Sequence, residues 1–123
     1  ELGRGGSDGE PSATVRARVV RARSAQTERQ RRGEVSASTN AALAQSELMR
    51  VARPDASGDA LLVRAAETLG LSGRAFGKVL RVARTIADLE GSVAVQRAHV
   101  AEAVPLRLLE RDAASTVALA QPA

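Results

Sequence analysis

The sequence has no cysteine, no tryptophan and no tyrosine, and a single phenylalanine, Phe76, in 123 residues. Without cysteine there is no disulfide framework and no zinc knuckle. With Phe76 standing alone, nucleic-acid modules that stack bases on exposed rings have almost nothing to work with. No run approaches the roughly 20 apolar residues that a membrane helix needs, and no signal-peptide pattern is seen. The expectation is a soluble, cytoplasmic protein with no membrane partner. The first residue is Glu1 rather than methionine, which reads as a processed or cut piece of a longer chain.

What is present narrows the class further. The length suits one domain, able to bury roughly two-thirds of its unfolded surface. Alanine, valine and leucine supply the apolar content of 44%, which favours close helix-on-helix packing over a thick sheet core. The 18 basic residues are 17 Arg and one Lys, Lys78, in a chain of net charge +4. A GC-rich genome and phosphate recognition both account for so lopsided a ratio.

Residues 1–10 are rich in glycine and read as a flexible lead-in or linker. A helical domain is expected over 11–111 and a weakly patterned tail over 112–123. The first helix starts at Pro11, with Ser12 able to cap, and stops at Gly33. Val15, Val19 and Ala22 form its narrow apolar stripe. Residues 11–33 hold seven Arg against one Glu, a net of +6 that exceeds the charge of the whole chain. A short helix opens at Thr39 or Asn40, with Leu43, Leu48 and Met49 as its apolar members, and ends at Arg53-Pro54.

Asp55 or Ser57 caps a third helix over 58–69, where Leu61, Leu62, Ala65, Ala66 and Leu69 follow amphipathic spacing. Gly70 closes it and Ser72 caps the next helix, about 73–90. Its broad apolar face is Ala75, Phe76, Val79, Leu80, Ala83, Ile86, Ala87 and Leu89. A last helix starts near Gln96 and carries Ala98, Ala101 and Val104 inward; Pro105 ends or kinks it, with Leu106, Leu108 and Leu109 extending the packing. No segment alternates as a strand does. The fold predicted is all-α, a small bundle of four to five helices.

Self-contained catalysis finds no support. No GxxxxGK[ST] loop is present to cradle a nucleotide. His99 is the only histidine, and it reads as a helix-surface or packing residue. Asp88 and Glu90 could hold Mg²⁺, but they read more simply as adjacent solvated acids, so no metal site is assigned. The sharper feature is GLSGRAFGKVLRVARTIADLEG at 70–91. Arg74 falls in the first turn of a helix, where N–H groups and the dipole favour an anion, and an arginine there adds a bidentate contact to phosphate. Lys78 and Arg81, at i+4 and i+7, extend one basic edge opposite the Phe76 face.

The run LSGRAFGKVLRVARTIADLEG, with HVAEA at 99–103, resembles the C-terminal domain of magnesium-chelatase-related AAA+ ATPases, closer to the ComM-like competence branch than to the chlorophyll-pathway chelatase. Earlier pieces agree in order: Val15-Arg16-Ala17-Arg18-Val19 with Ala22-Arg23, then Gln26 and Arg29, then Asn40-Ala41-Ala42-Leu43. The resemblance covers residues 9–111. It implies the helical lid of an AAA+ module, packed beside a nucleotide held by an N-terminal α/β domain absent from this chain. It assigns the sensor 2 role to Arg74, from the motif Ser72-Gly73-Arg74, and leaves Lys78 and Arg81 as auxiliary phosphate or intersubunit contacts. ATP and Mg²⁺ are the implied ligands of the full-length protein, none of them bound tightly by this chain alone. A homo-hexameric ring acting on DNA is the implied assembly. The pattern departs at Phe76-Gly77 and at Val104-Pro105.

A rival reading makes the chain a free-standing nucleic-acid or protein-interaction module, with Arg16, Arg18, Arg21, Arg23, Arg29, Arg31 and Arg32 lying on phosphates. Those arginines surround their helix instead of forming one face. On this count a solvated or intersubunit face suits the helix better, with Arg16, Arg18 and Arg23 as its candidate nucleic-acid or intersubunit contacts. The sequence leaves open whether the parent motor moves DNA or inserts a metal into a porphyrin.

Overall fold

The computed structural model describes residues 11–106. The lead-in, the 112–123 tail and the end of the proposed domain, with Leu108 and Leu109, lie outside the described residues. Among the described residues the fold is all-α. Helix α1 is Ser12–Arg31, followed by a 3-10 turn at Asn40–Ala42, α2 at Gln45–Val51, α3 at Ala56–Leu69 and α4 at Gly73–Glu90. A fifth helix, α5, occupies 97–106. None of these helices is long and apolar enough to cross a membrane.

Local chemistry explains most of these boundaries. Asp55 caps α3, its side chain accepting from Gly58 N–H at 2.8 Å, and Ser72 caps α4, accepting from Ala75 N–H at 3.1 Å. Each cap satisfies a donor that the first helical turn leaves without a partner. Gly70 and Gly91, at φ of 65° and 77°, end α3 and α4 in the left-handed conformation that a side chain disfavours. At α1 the cap differs from expectation: Pro11 holds the N-cap position and Ser12 is already helical, so no side chain caps that end.

The second expected helix is divided. Its first residues form the 3-10 turn, Leu43 is extended, and α2 begins only at Gln45. The break lets Leu43 and Leu48 both turn inward, at 4% and 0% exposure, while Met49 is left exposed. Glu47 bridges the gap, accepting from Ser36 N–H at 2.7 Å and from Ser36 Oγ at 3.1 Å. The Ser36 N–H donation is the chief reason its carboxyl sits below the ordinary glutamate range.

Helix α4 is the centre of the bundle and packs against α1, α2 and the 3-10 turn. Val79, Leu80, Ala83 and Ala87 carry its fully buried face, meeting Leu48, Leu62, Val95 and Val100. In α5 the inward register differs from expectation: Ala98 and Ala101 are exposed, Val104 is half-buried, and His99, Val100 and Ala103 are buried instead. The cause is His99. Its Nδ1 accepts from Gln96 N–H at 2.9 Å, capping the start of the helix from three residues on, as an acidic partner does in a capping box. With Nδ1 an acceptor, Nε2 carries the proton and donates to Glu90 Oε1 at 2.9 Å. The described helix runs through Pro105 to residue 106.

Two helical glycines differ in what surrounds them. A Cβ on Gly58 would lie 2.9 Å from Pro54 Cβ and 3.2 Å from the Arg97 backbone nitrogen, groups that cannot yield cheaply. One on Gly77 would meet only the far ends of two side chains, Gln45 Oε1 at 2.9 Å and Arg81 Nη1 at 3.2 Å. Gly58→Ala is therefore expected to lose about 1–3 kcal/mol by overpacking. Gly77→Ala is expected to gain up to about 1 kcal/mol from helix propensity as Gln45 swings aside and Arg81 Nη1 shifts by a few tenths of an ångström. Urea denaturation of the two variants checks the contrast; equal effects would refute it.

Candidate functional site

Arg74 is exposed, the second residue of α4, beside the end capped by Ser72. The first turn of α4 contains no acidic residue, so nothing there opposes an incoming anion. Lys78 and Arg81 follow on the same side of the helix and both are half-buried. Arg81 is committed inward: its Nη2 donates to the Leu43 carbonyl at 2.8 Å, which pins the stretch between the 3-10 turn and α2. Its Nε is buried without a hydrogen-bond partner. The three cations share one edge, but of the three only Arg74 is exposed.

The arginines of α1 separate into different roles. Arg16 and Arg23 are exposed and two turns apart on one face, whereas Arg18 lies across the helix and is half-buried. Arg31 and Arg32 both bind Glu28. Arg29 turns inward, its Nη1 donating to Asp88 Oδ2 at 3.0 Å and its Nη2 to Asp88 Oδ1. The structure does not gather Arg16, Arg18 and Arg23 into one patch.

Asp88 overturns the reading of two adjacent solvated acids. It is 2% exposed, facing the core, while Glu90 is exposed and holds His99. Successive helical residues lie about 100° apart, so positions 88 and 90 point in nearly opposite directions. Asp88 is the hub of a buried polar network. Its Oδ1 accepts from Arg29 and from Arg84 Nε at 3.1 Å; its Oδ2 accepts from Arg29 and from Asn40 Nδ2 at 2.9 Å. Asn40 Nδ2 also reaches Thr85 Oγ1 at 3.1 Å, and Asn40 N–H donates to Gln26 Oε1 at 3.1 Å. Among the described residues, no group of three or more His, Asp or Glu is placed to hold a metal ion.

Arg84, 3% exposed, is the second cation on Asp88. Burying a guanidinium is costly unless its donors are matched. Here Nη1 donates to the carbonyls of Val51 at 3.1 Å and Val93 at 3.0 Å, and Nη2 to that of Ser92 at 2.8 Å. The Val51 carbonyl is one that the end of α2 leaves without a helical partner. Arg84 thereby ties the end of α2 to the segment after α4. Burial pushes its pKa below the usual arginine value; the Asp88 charge opposes this and the Arg29 charge adds to it.

Beside this network an open cleft of about 480 Å³ separates the end of α1 from α2 and α4. Arg29, Arg32, Arg50 and Arg84 line it together with Glu28 and Glu34. Spacing along the sequence gave no sign of it, because its residues come from separate elements. One signal was available: Arg84 and Asp88 stand at i and i+4 in the middle of an apolar helical face, where a solvated pair does not belong.

The family model described as magnesium chelatase, subunit ChlI C-terminal, matches residues 9–107. The competence protein ComM of Haemophilus influenzae is 38% identical over 106 residues, covering 86% of this chain and 20% of that protein. The YifB protein of Escherichia coli is 39% identical over 103 residues, covering 84% of this chain and 19% of its own length. YifB of Salmonella typhimurium is 38% identical over 105 residues, covering 85% and 20%. The chain thus spans a fifth of the length of these curated relatives or slightly less. No solved structure matches it.

Proposed function

Because this chain belongs to the magnesium chelatase, subunit ChlI C-terminal family, we propose that it serves as the helical lid of an ATP-driven motor. In this reading the nucleotide and its Mg²⁺ are held by an α/β domain N-terminal to the chain. The lid contributes one positively charged side chain, Arg74, toward the terminal phosphates. The observation that carries the reading is the exposed Arg74 in the first turn of α4, beside the Ser72 cap and free of acidic neighbours in that turn. An arginine so placed adds charge and a bidentate fork where the helix end already favours an anion.

The bundle suits a part that moves as one body. The Asp88 network locks α1, the 3-10 turn and α4 together, and Arg84 adds the end of α2. A displacement felt at Arg74 is therefore transmitted to the whole lid instead of being absorbed by one helix. The parent protein is proposed to act on DNA as a hexameric ring in the cytoplasm, as the resemblance to AAA+ motors implies. The test is ATP turnover by the full-length protein carrying Arg74→Ala. A large fall at an unchanged melting temperature supports the reading, and wild-type turnover removes it.

A further inference from the structure

The cleft beside the Asp88 network carries more positive charge than its carboxylates balance. Arg29, Arg32, Arg50 and Arg84 line it against Glu28 and Glu34. The carboxylates are already occupied. Asp88 is shared between Arg29 and Arg84, with both of its oxygens taking two donors. Glu28 is shared between Arg31 and Arg32. Glu34 stands 3.8 Å from Arg32. Counting the partners of the lining residues, then, the five guanidiniums of Arg29, Arg31, Arg32, Arg50 and Arg84 face four carboxylates, Asp88, Glu28, Glu34 and the Glu47 whose charge acts on Arg50, with Arg50 exposed at the mouth in the last turn of α2.

We infer that this cleft is a seat for a phosphate group, with Arg50 and Arg32 closing on it from the mouth and Arg29 from the floor. Arg29 suits the floor because its side chain is 15% exposed and its orientation is fixed by Asp88. Each guanidinium has five N–H donors, and Asp88 takes two from Arg29 in the bonds described above. A tetrahedral phosphate can accept from guanidiniums on several sides at once, whereas a planar carboxylate is filled by one or two. The volume admits a diphosphate with its water. The seat is separate from Arg74: Arg84 lies ten residues further along α4, about 15 Å up the helix axis. It is independent of the role proposed for Arg74, and both could operate in one protein.

The phosphate could belong to a free oligophosphate or to a nucleic-acid strand, and two titrations of this chain separate the sources. One uses inorganic pyrophosphate and the other a short single-stranded oligodeoxynucleotide, each followed by backbone amide NMR at low ionic strength. Saturable shifts at Ala25, Val51 and Val93, which line the cleft, are expected with pyrophosphate and are expected to weaken with added salt. Arg50→Gln, an exposed substitution that leaves the buried network intact, should weaken the binding about tenfold or more, since each lost bond joins charged groups. Arg64→Gln, at an exposed position of α3, removes the same charge elsewhere and should leave it as in the wild type. If the oligonucleotide gives the same shifts at lower concentration, the source is a strand; if only pyrophosphate does, it is a small oligophosphate. Either result upholds the seat. Absence of saturable shifts at these amides with both probes, or equal loss in Arg50→Gln and Arg64→Gln, overturns it.

Discussion

Replacing Asp88 by alanine is expected to destabilise the chain by about 3–5 kcal/mol, the range found when one partner of a buried ion pair is removed. The variant strands two cations. Arg84 is almost fully buried and cannot swing to water, because its Nη atoms are fixed on the carbonyls of Val51, Ser92 and Val93. Arg29 loses both of its acceptors on Asp88, and Asn40 Nδ2 keeps only Thr85. Small domains are stable by about 5–15 kcal/mol, so a loss of this size consumes a large share of the total. Asp88→Asn keeps the shape but turns an amide toward guanidinium donors, and should fall near the alanine variant. A double variant, Asp88→Leu with Arg84→Met, removes charge and counter-charge together and should be less destabilised than Asp88→Ala alone. Urea denaturation monitored by helical circular dichroism decides this. A loss below about 1 kcal/mol, the level of an exposed pair, would show that the network contributes little.

This network also explains how far the sequence was legible. Caps and stops were readable because their chemistry is local: Asp55, Ser72, Gly70 and Gly91 act on residues within one turn of themselves. The apolar face of α4 was readable for the same reason, since helical spacing alone places Val79, Leu80, Ala83 and Ala87 together. Asp88 was not, because its neighbours in space are Arg29, Asn40 and Arg84, two of them more than forty positions away. Adjacency to Glu90 in sequence suggested a shared environment that the helix denies. The same limit hid the register of α5. An apolar count favours Ala98 and Ala101, but one histidine bonded at both ring nitrogens outweighs two methyl groups and turns His99 inward.

The residues that carried the family resemblance have a physical meaning here beyond the resemblance itself. Gln26, Arg29, Asn40 and Arg84 stand in three separated stretches of sequence, yet all belong to the one buried network around Asp88. Much of the similarity is thus similarity of folding machinery. Arg74 differs in kind. It is exposed and supports no core packing, so the sequence could nominate it only through its place at a helix start and through the resemblance.

That contrast sets the size and form of the second large effect. In the full-length protein, Arg74→Ala is expected to lower ATP turnover on the order of 10²–10³-fold, as when one preorganised donor to a charged transition state is removed. The loss should fall mainly on kcat, with KM changing far less, if Arg74 acts on charge that develops during phosphoryl transfer. Arg74→Lys keeps the charge and loses the fork, so it should recover part of the activity and not all of it. The melting temperature is the control. Arg74 is exposed and its side chain takes no part in the Ser72 cap, whose bond is to Ala75 N–H, so its loss changes stability by no more than about 0.5 kcal/mol, whereas Asp88→Ala would lower turnover by unfolding the bundle and lower the melting temperature with it. Loss of turnover at constant stability, partly rescued by lysine, identifies a side chain that works on the nucleotide. A parallel loss of both would reduce Arg74 to a structural residue, and wild-type turnover would leave the nucleotide without any contribution from this helix.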